Sequence, residues 1–140
     1  MAAQGRKNVH GKAGVRFKTG YTASKNKAML RNVVTDLITN EEVKVTSGVT
    51  KELKKLADHL ITLAKRNDLH ARRLAAQTVR SDEALKKLFA ELGPRMASRN
   101  GGYTRSFKLG ERRGDAAEVT LVRWSDRLVV VILQNSVSRN

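Results

Sequence analysis

"LKKLFAELGPRMASRNGGYTRSFKL" (residues 85–109) changes its period halfway along. Leu85, Leu88, Phe89 and Leu92 recur at helical spacing, on one face of a helix. From Tyr103 onward, Tyr103, Arg105, Phe107 and Leu109 alternate with Thr104, Ser106 and Lys108, the period of a strand. Between the two lie Gly93-Pro94 and Gly101-Gly102. Glycine accepts a left-handed cap and proline cannot continue a helix, so the first pair predicts a helix stop. A helix handed on to a strand through a glycine loop marks a chain of mixed type, with helices and sheet in one core.

The segments upstream are helical. In "TASKNKAMLRNVVTDLITN" (22–40), Leu30, Val33, Val34, Leu37 and Ile38 form one apolar stripe. Thr22 or Ser24 is the expected side-chain cap, and Asn40 the stop. "EEVKVTS" (41–47) alternates Val43 and Val45 with polar neighbours, a short strand. Thr46 or Ser47 then opens a second helix through about Arg66, buried through Val49, Leu53, Leu56, Ala57, Leu60, Ile61 and Ala64. Asp68 caps a short third helix carrying Leu69, Leu74 and Val79, and Ser81 caps a fourth. Asp82 and Glu83 in that fourth helix's first turn suit the positive end of its dipole.

Downstream, "GERRGD" (110–115) reads as a turn and "EVTLVRW" (118–124) as a strand. "RLVVVILQ" (127–134) is apolar without alternation, the pattern of a strand buried on both faces. The fold class is therefore α+β: about four helices packed on a small mixed or antiparallel sheet. The expected organisation is a basic arm over 1–21, a globular domain over 22–125 and a C-terminal strand and tail over 126–140. The arm has four glycines and few large apolar groups, so it cannot bury enough surface to offset the entropy of ordering. It is expected to be disordered when free and to order along an anionic surface. A transit peptide is the competing reading of this basic stretch, but it has one threonine, no serine and no clear amphipathic helix.

Charge decides the class of partner. Among 140 residues, 28 Lys and Arg face 13 Asp and Glu, a net charge of +15. Self-repulsion of that size destabilises a compact chain unless a polyanion offsets it. The excess is uneven: the first acid is Asp36, and none occurs between Glu91 and Glu111. Such blocks mark interaction surfaces, and nucleic acid is the expected partner. There is no cysteine, which excludes thiolate metal sites and disulfides and fits a reducing compartment. The longest apolar run, Leu128–Leu133, is far short of a membrane span, and no secretory signal pattern opens the chain. His10, His59 and His70 lack metal-type spacing. "GRKNVHGKA" (5–13) departs from a phosphate loop in its glycine spacing and in Ala13, where a hydroxyl should reach magnesium. No nucleophile stands near Asp115 and Glu118. An enzyme is not expected, nor a cofactor or metal.

The glycine run then has a physical use. Without a Cβ, Gly101 and Gly102 let the backbone take positive φ and approach a phosphate chain. Arg95, Arg99 and Arg105 can pair phosphate oxygens bidentately. Tyr103 can either stack on an unpaired base or fill the core.

The segments "KAMLRN" (27–32), "LITLAKR" (60–66), "ARRLA" (71–75), "KLFAELGPRMASRNGGYTR" (87–105) and "KLGERRGD" (108–115) resemble the bacterial large-subunit ribosomal protein seventeen family. The likeness runs in order over about residues 22–122. It implies a structural component of the large subunit, expected in the cytoplasm, with an organellar ribosome as the alternative. It also implies contacts with 23S-type ribosomal RNA near the rim of the exit tunnel, beside other large-subunit proteins. Residues 1–15 look like an addition to the family's lead. Ala116-Ala117 stands where the family has proline and methionine. The residues expected on RNA are Arg6, Lys7, Lys12, Arg16 and Lys18 of the arm, with Lys25, Lys27 and Arg31 of the first helix. Arg72 and Arg73 follow, then Arg95, Arg99, Gly101, Gly102, Tyr103 and Arg105, and finally Lys108, Arg112 and Arg113. The rivals are a free-standing regulatory nucleic-acid binder, for which no helix-turn-helix, zinc or aromatic-platform motif is visible, and an RNA-processing enzyme, which needs a carboxylate cluster.

Overall fold

The structure, a computed structural model, describes residues 22–126. Helix α1 (Ala23–Asn40) leads into strand β1 (Glu42–Thr46), then α2 (Ser47–Arg66) and α3 (Leu69–Ala76). Helix α4 starts at Asp82–Lys87, widens into a π-helical turn at Leu88–Leu92 and closes with one more turn, Gly93–Arg95. Strands β2 (Thr104–Glu111) and β3 (Glu118–Trp124) complete an antiparallel three-stranded sheet of order β1-β3-β2. This is the α+β arrangement the two periods imply. The arm and the "RLVVVILQ" run lie outside the described residues.

The core is where the helical stripes meet one face of β3. Val34, Leu37 and Ile38 of α1, Leu53, Leu60 and Ile61 of α2, and Leu88, Leu92 and Met96 around the end of α4 are fully buried, as are Val122 and Trp124. Trp124 also donates its indole N–H to the carbonyl of Leu37 at 3.2 Å. That carbonyl is among the last four of α1, which have no partner within the helix. Lys87 donates to another of them, Thr39, at 3.0 Å. The C-terminus of α1 is thus closed by tertiary contacts, after which Glu41 turns the chain with a left-handed φ of 65°.

Helix ends differ from expectation in three places. Thr22 and Thr46 occupy the cap positions of α1 and α2, but neither side chain makes a capping bond. Thr22 instead hydrogen-bonds the Ser24 hydroxyl at 3.2 Å, and Thr50, one turn into α2, donates to the Thr46 carbonyl at 3.3 Å. Asp68 does cap α3, accepting from the Ala71 N–H at 2.6 Å, and Ser81 accepts from Ala84 N–H at the start of α4. The third difference is the largest. Gly93-Pro94 does not stop α4, since Gly93 is right-handed (φ −55°, ψ −58°) and the helix passes through it. The preceding π turn widens the backbone, relieving the clash between the proline ring and the carbonyl one turn back. Gly93 serves packing: a Cβ there would lie 3.1 Å from the Ala64 carbonyl oxygen and 3.3 Å from the Ala64 Cβ. It is the point where α4 crosses α2.

Strand β2 leaves the core. Thr104 is buried, but every later residue of β2 is exposed, including Phe107 and Leu109 at 38% and 50%. A bulge lies between Lys108 and Gly110. On the outer face Arg105 lies opposite Arg123, and Phe107 opposite Leu121.

Candidate nucleic-acid interface

The glycine loop is built on α4 and the sheet. Met96 closes the last turn of α4 by donating to the Leu92 carbonyl at 3.1 Å. Gly101 and Gly102 follow with φ of 129° and 58°, where a side chain is strained. A Cβ at either would meet nothing within 4 Å, so conformation requires the glycines and the space above them is open. The loop is pinned from beneath. Ser125 donates its hydroxyl to the Gly102 carbonyl at 2.6 Å and its N–H to the Tyr103 carbonyl at 2.9 Å. Lys65 of α2 donates to the carbonyl of Arg99 and, at 3.1 Å, to the Tyr103 hydroxyl. Tyr103 is 6% exposed and belongs to the core cluster. Of its two readings, the structure selects the core one, because stacking a base needs an open ring face.

The cations divide by whether an acid already holds them. Arg95 is clamped: Nε donates to Asp126 at 2.6 Å and Nη1 to Glu41 at 3.2 Å. Lys87 reaches the same Glu41 carboxylate at 3.2 Å. Burial pushes Glu41 up, but hydrogen bonds from Arg95 and Lys87 outweigh it and hold the carboxyl below its ordinary range. Arg95 is raised in turn, burial notwithstanding, by Asp126 and Glu41. Its guanidinium ties the α1–β1 turn and the turn after β3 to the end of α4, and that structural duty competes with the phosphate contact expected of it. In the hairpin turn, Arg112 forks onto Asp115. That hydrogen-bonded pair takes Asp115 down to about 2, helped by the Ala117 N–H. Lys108 pairs with Glu118 at 3.1 Å.

Lys25, Lys27, Arg31, Arg73, Arg99, Arg105 and Arg113 have no acidic partner among the described residues. Arg72 contacts the Asn67 side chain at 3.2 Å and lies over the Phe89 ring, likewise without an acid. Arg105 faces a second guanidinium, Arg123, and like charges directly opposite on a sheet repel. Glu42, at 2.9 Å, neutralises Arg123 alone. On α1, Lys27 and Arg31 lie beside Lys55 and His59 of α2 in one cleft. Lys55, His59, Phe107 and Arg123 are surface groups the sequence reading did not select. They sit inside ordinary helix and strand patterns, and only pairing of elements brings them beside the selected cations.

Residues 22–126 hold all 13 acids and 21 Lys and Arg, an excess of eight positive charges before the arm is counted. Fold and charge together define a small basic α+β protein with a largely unpaired cationic surface. Comparison with known proteins gives the family. The model described as Ribosomal protein L17 matches residues 29–124, and the chain belongs to that family. Relatives named large ribosomal subunit protein bL17 include one from Desulfosudis oleivorans, 53% identical over 113 residues, or 81% of this chain and 53% of the relative. Another, from Shouchella clausii, is 48% identical over 115 residues, covering 76% of this chain and 96% of the relative. A third, from an Exiguobacterium species, is 50% identical over 110 residues, covering 75% and 94%. This chain thus spans about half the length of the first relative and nearly all of the other two.

Proposed function

We propose that the protein is a structural constituent of the large ribosomal subunit that binds large-subunit ribosomal RNA, acting in the cytoplasm as part of the ribosome. Membership of the ribosomal protein L17 family supports the subunit. The observation that carries RNA binding is the set of cations without acids, exposed Lys25, Lys27, Arg73, Arg105 and Arg113 and half-buried Arg31, on a domain that already has too few acids to neutralise itself. Arg6, Lys7, Lys12, Arg16 and Lys18 of the arm add five cations to the same reading by sequence alone. Contacts near the exit-tunnel rim and with neighbouring large-subunit proteins belong to the same reading.

A-form RNA hides its base edges, so the cations act on backbone shape and on unpaired nucleotides. Arg99 and Arg105 flank the glycine loop, whose backbone is open to approach while its underside is held by Ser125 and Lys65. The protein's role is to hold RNA in place rather than to transform it.

Sucrose-gradient sedimentation tests the reading. The chain should travel near one copy per large subunit and survive a salt wash. Migration as a small free species would sink the proposal. Filter binding to a large-subunit ribosomal RNA transcript should be weakened by Arg99→Ala and Arg105→Ala. If both leave affinity and salt dependence untouched, the loop is not part of the interface.

A further inference from the structure

We propose that the cleft between α1 and α2 is a receptor for one unstacked nucleotide of the bound RNA. The inference rests on the RNA-binding reading and sharpens it to a site. The cleft has a volume of about 370 Å³, within the range of small-molecule sites. A surface that only met an RNA backbone would need no cavity.

Its lining has two chemistries. Lys27 and Arg31, one helical turn apart on α1, have no acidic partner among the described residues. Lys55 of α2 shares the cleft and meets Glu52 at 3.6 Å, an ion pair too long for a good hydrogen bond. Three cations against one carboxylate leave the cleft positive, which suits a phosphate. His59 and Thr78 also line the cleft, and Leu30 and Leu56, from opposite helices, give it apolar surface. A bare phosphate would gain nothing from them. A nucleotide uses both parts: phosphate on the cations, base against the leucines, as for bases taken out of a stack. Glu52 adds an acceptor to the lining, which favours bases carrying an amino group over uracil.

The test is a nuclear magnetic resonance titration of the full chain, reading backbone amide shifts with AMP, GMP, CMP, UMP and inorganic phosphate in turn. The expected result is shifts centred on Leu30, Arg31 and Leu56, with AMP, GMP or CMP binding at least about tenfold tighter than inorganic phosphate. Arg31→Gln, a partly exposed change that should leave the rest of the spectrum in place, should weaken the nucleotides at least about fivefold. Equal binding of phosphate and nucleotides would reduce the cleft to an anion site and overturn the proposal. Shifts elsewhere, or an unaffected Arg31→Gln, would overturn it too. Filter binding of the ribosomal RNA transcript runs in parallel. Lost nucleotide binding with intact RNA binding removes the cleft alone, whereas nucleotide binding without RNA binding removes the RNA reading and with it the cleft's role toward RNA.

Discussion

Gly93 sets two residue-scale effects against each other. Replacing a helical glycine with alanine gains up to about 1 kcal/mol of helix propensity. Here the new Cβ would press on the Ala64 carbonyl oxygen at 3.1 Å, a backbone atom in the last turn of α2 that cannot rotate away as a side chain could. Overpacking typically costs about 1–3 kcal/mol. Gly93→Ala should therefore lower the melting temperature, and a rise would show that α2 and α4 can part freely. Glu41 gives a pH-dependent case. Its carboxyl is held below its ordinary range by Arg95 and Lys87 despite burial. The charged form is thus preferred in the folded state. Its stabilisation is present above the ordinary carboxylate range and is lost as pH falls through the depressed value. Glu41→Gln should destabilise the domain at neutral pH, and the gap from the parent should close on acidification. Denaturant melts at several pH values would show this, and a gap independent of pH would mean the ion pairs contribute nothing.

Trp124 links two elements. It is the largest fully buried side chain, and its N–H supplies a carbonyl at the end of α1 with a partner that helix geometry denies it. Trp124→Phe removes ring volume and leaves a buried acceptor unmet, a combined cost of about 2–4 kcal/mol. The expected outcome is a lower denaturation midpoint together with faster amide exchange in the last turn of α1. Loss of stability without local fraying would make packing the whole of Trp124's role. The hairpin shows a different balance. Its strand β2 is exposed past Thr104, and Phe107 there lies beneath the Arg123 guanidinium at 5.9 Å. Strand β2 contributes surface, whereas β3 supplies Val122 and Trp124 to the core.

On the whole molecule, the excess of positive charge makes RNA binding steeply salt-dependent. Each phosphate neutralised adds roughly 0.7–0.9 to the slope of log affinity against log salt. Eight contacts would give a slope near about −6. Arg105→Ala should reduce it by about one contact's worth, whereas Arg95→Ala should act first on stability, because Arg95 is already held by Glu41 and Asp126. Measuring both midpoint and salt slope for the two variants separates these roles. If Arg95→Ala changed only the slope, its ion pairs would be incidental.

How much of this was legible depends on the distance over which each feature is decided. The helical stripe of α1, the alternation of Val43 and Val45, the Asp68 cap and the charge excess are local, because periodicity, short-range hydrogen bonds and composition act within a few residues. The α+β class and a polyanion partner follow from the sequence on those grounds. The passage of α4 through Gly93-Pro94 was not legible, since it turns on Ala64, far away in sequence and a van der Waals contact away in space. The same holds for Tyr103, which Lys65 draws into the core, and for Arg95, which loses its freedom to Glu41 and Asp126. Which arginines remain unpaired, and that α1 and α2 enclose a cleft, are properties of packing. Residue type supplies the charges, and only the tertiary structure decides which of them are already neutralised.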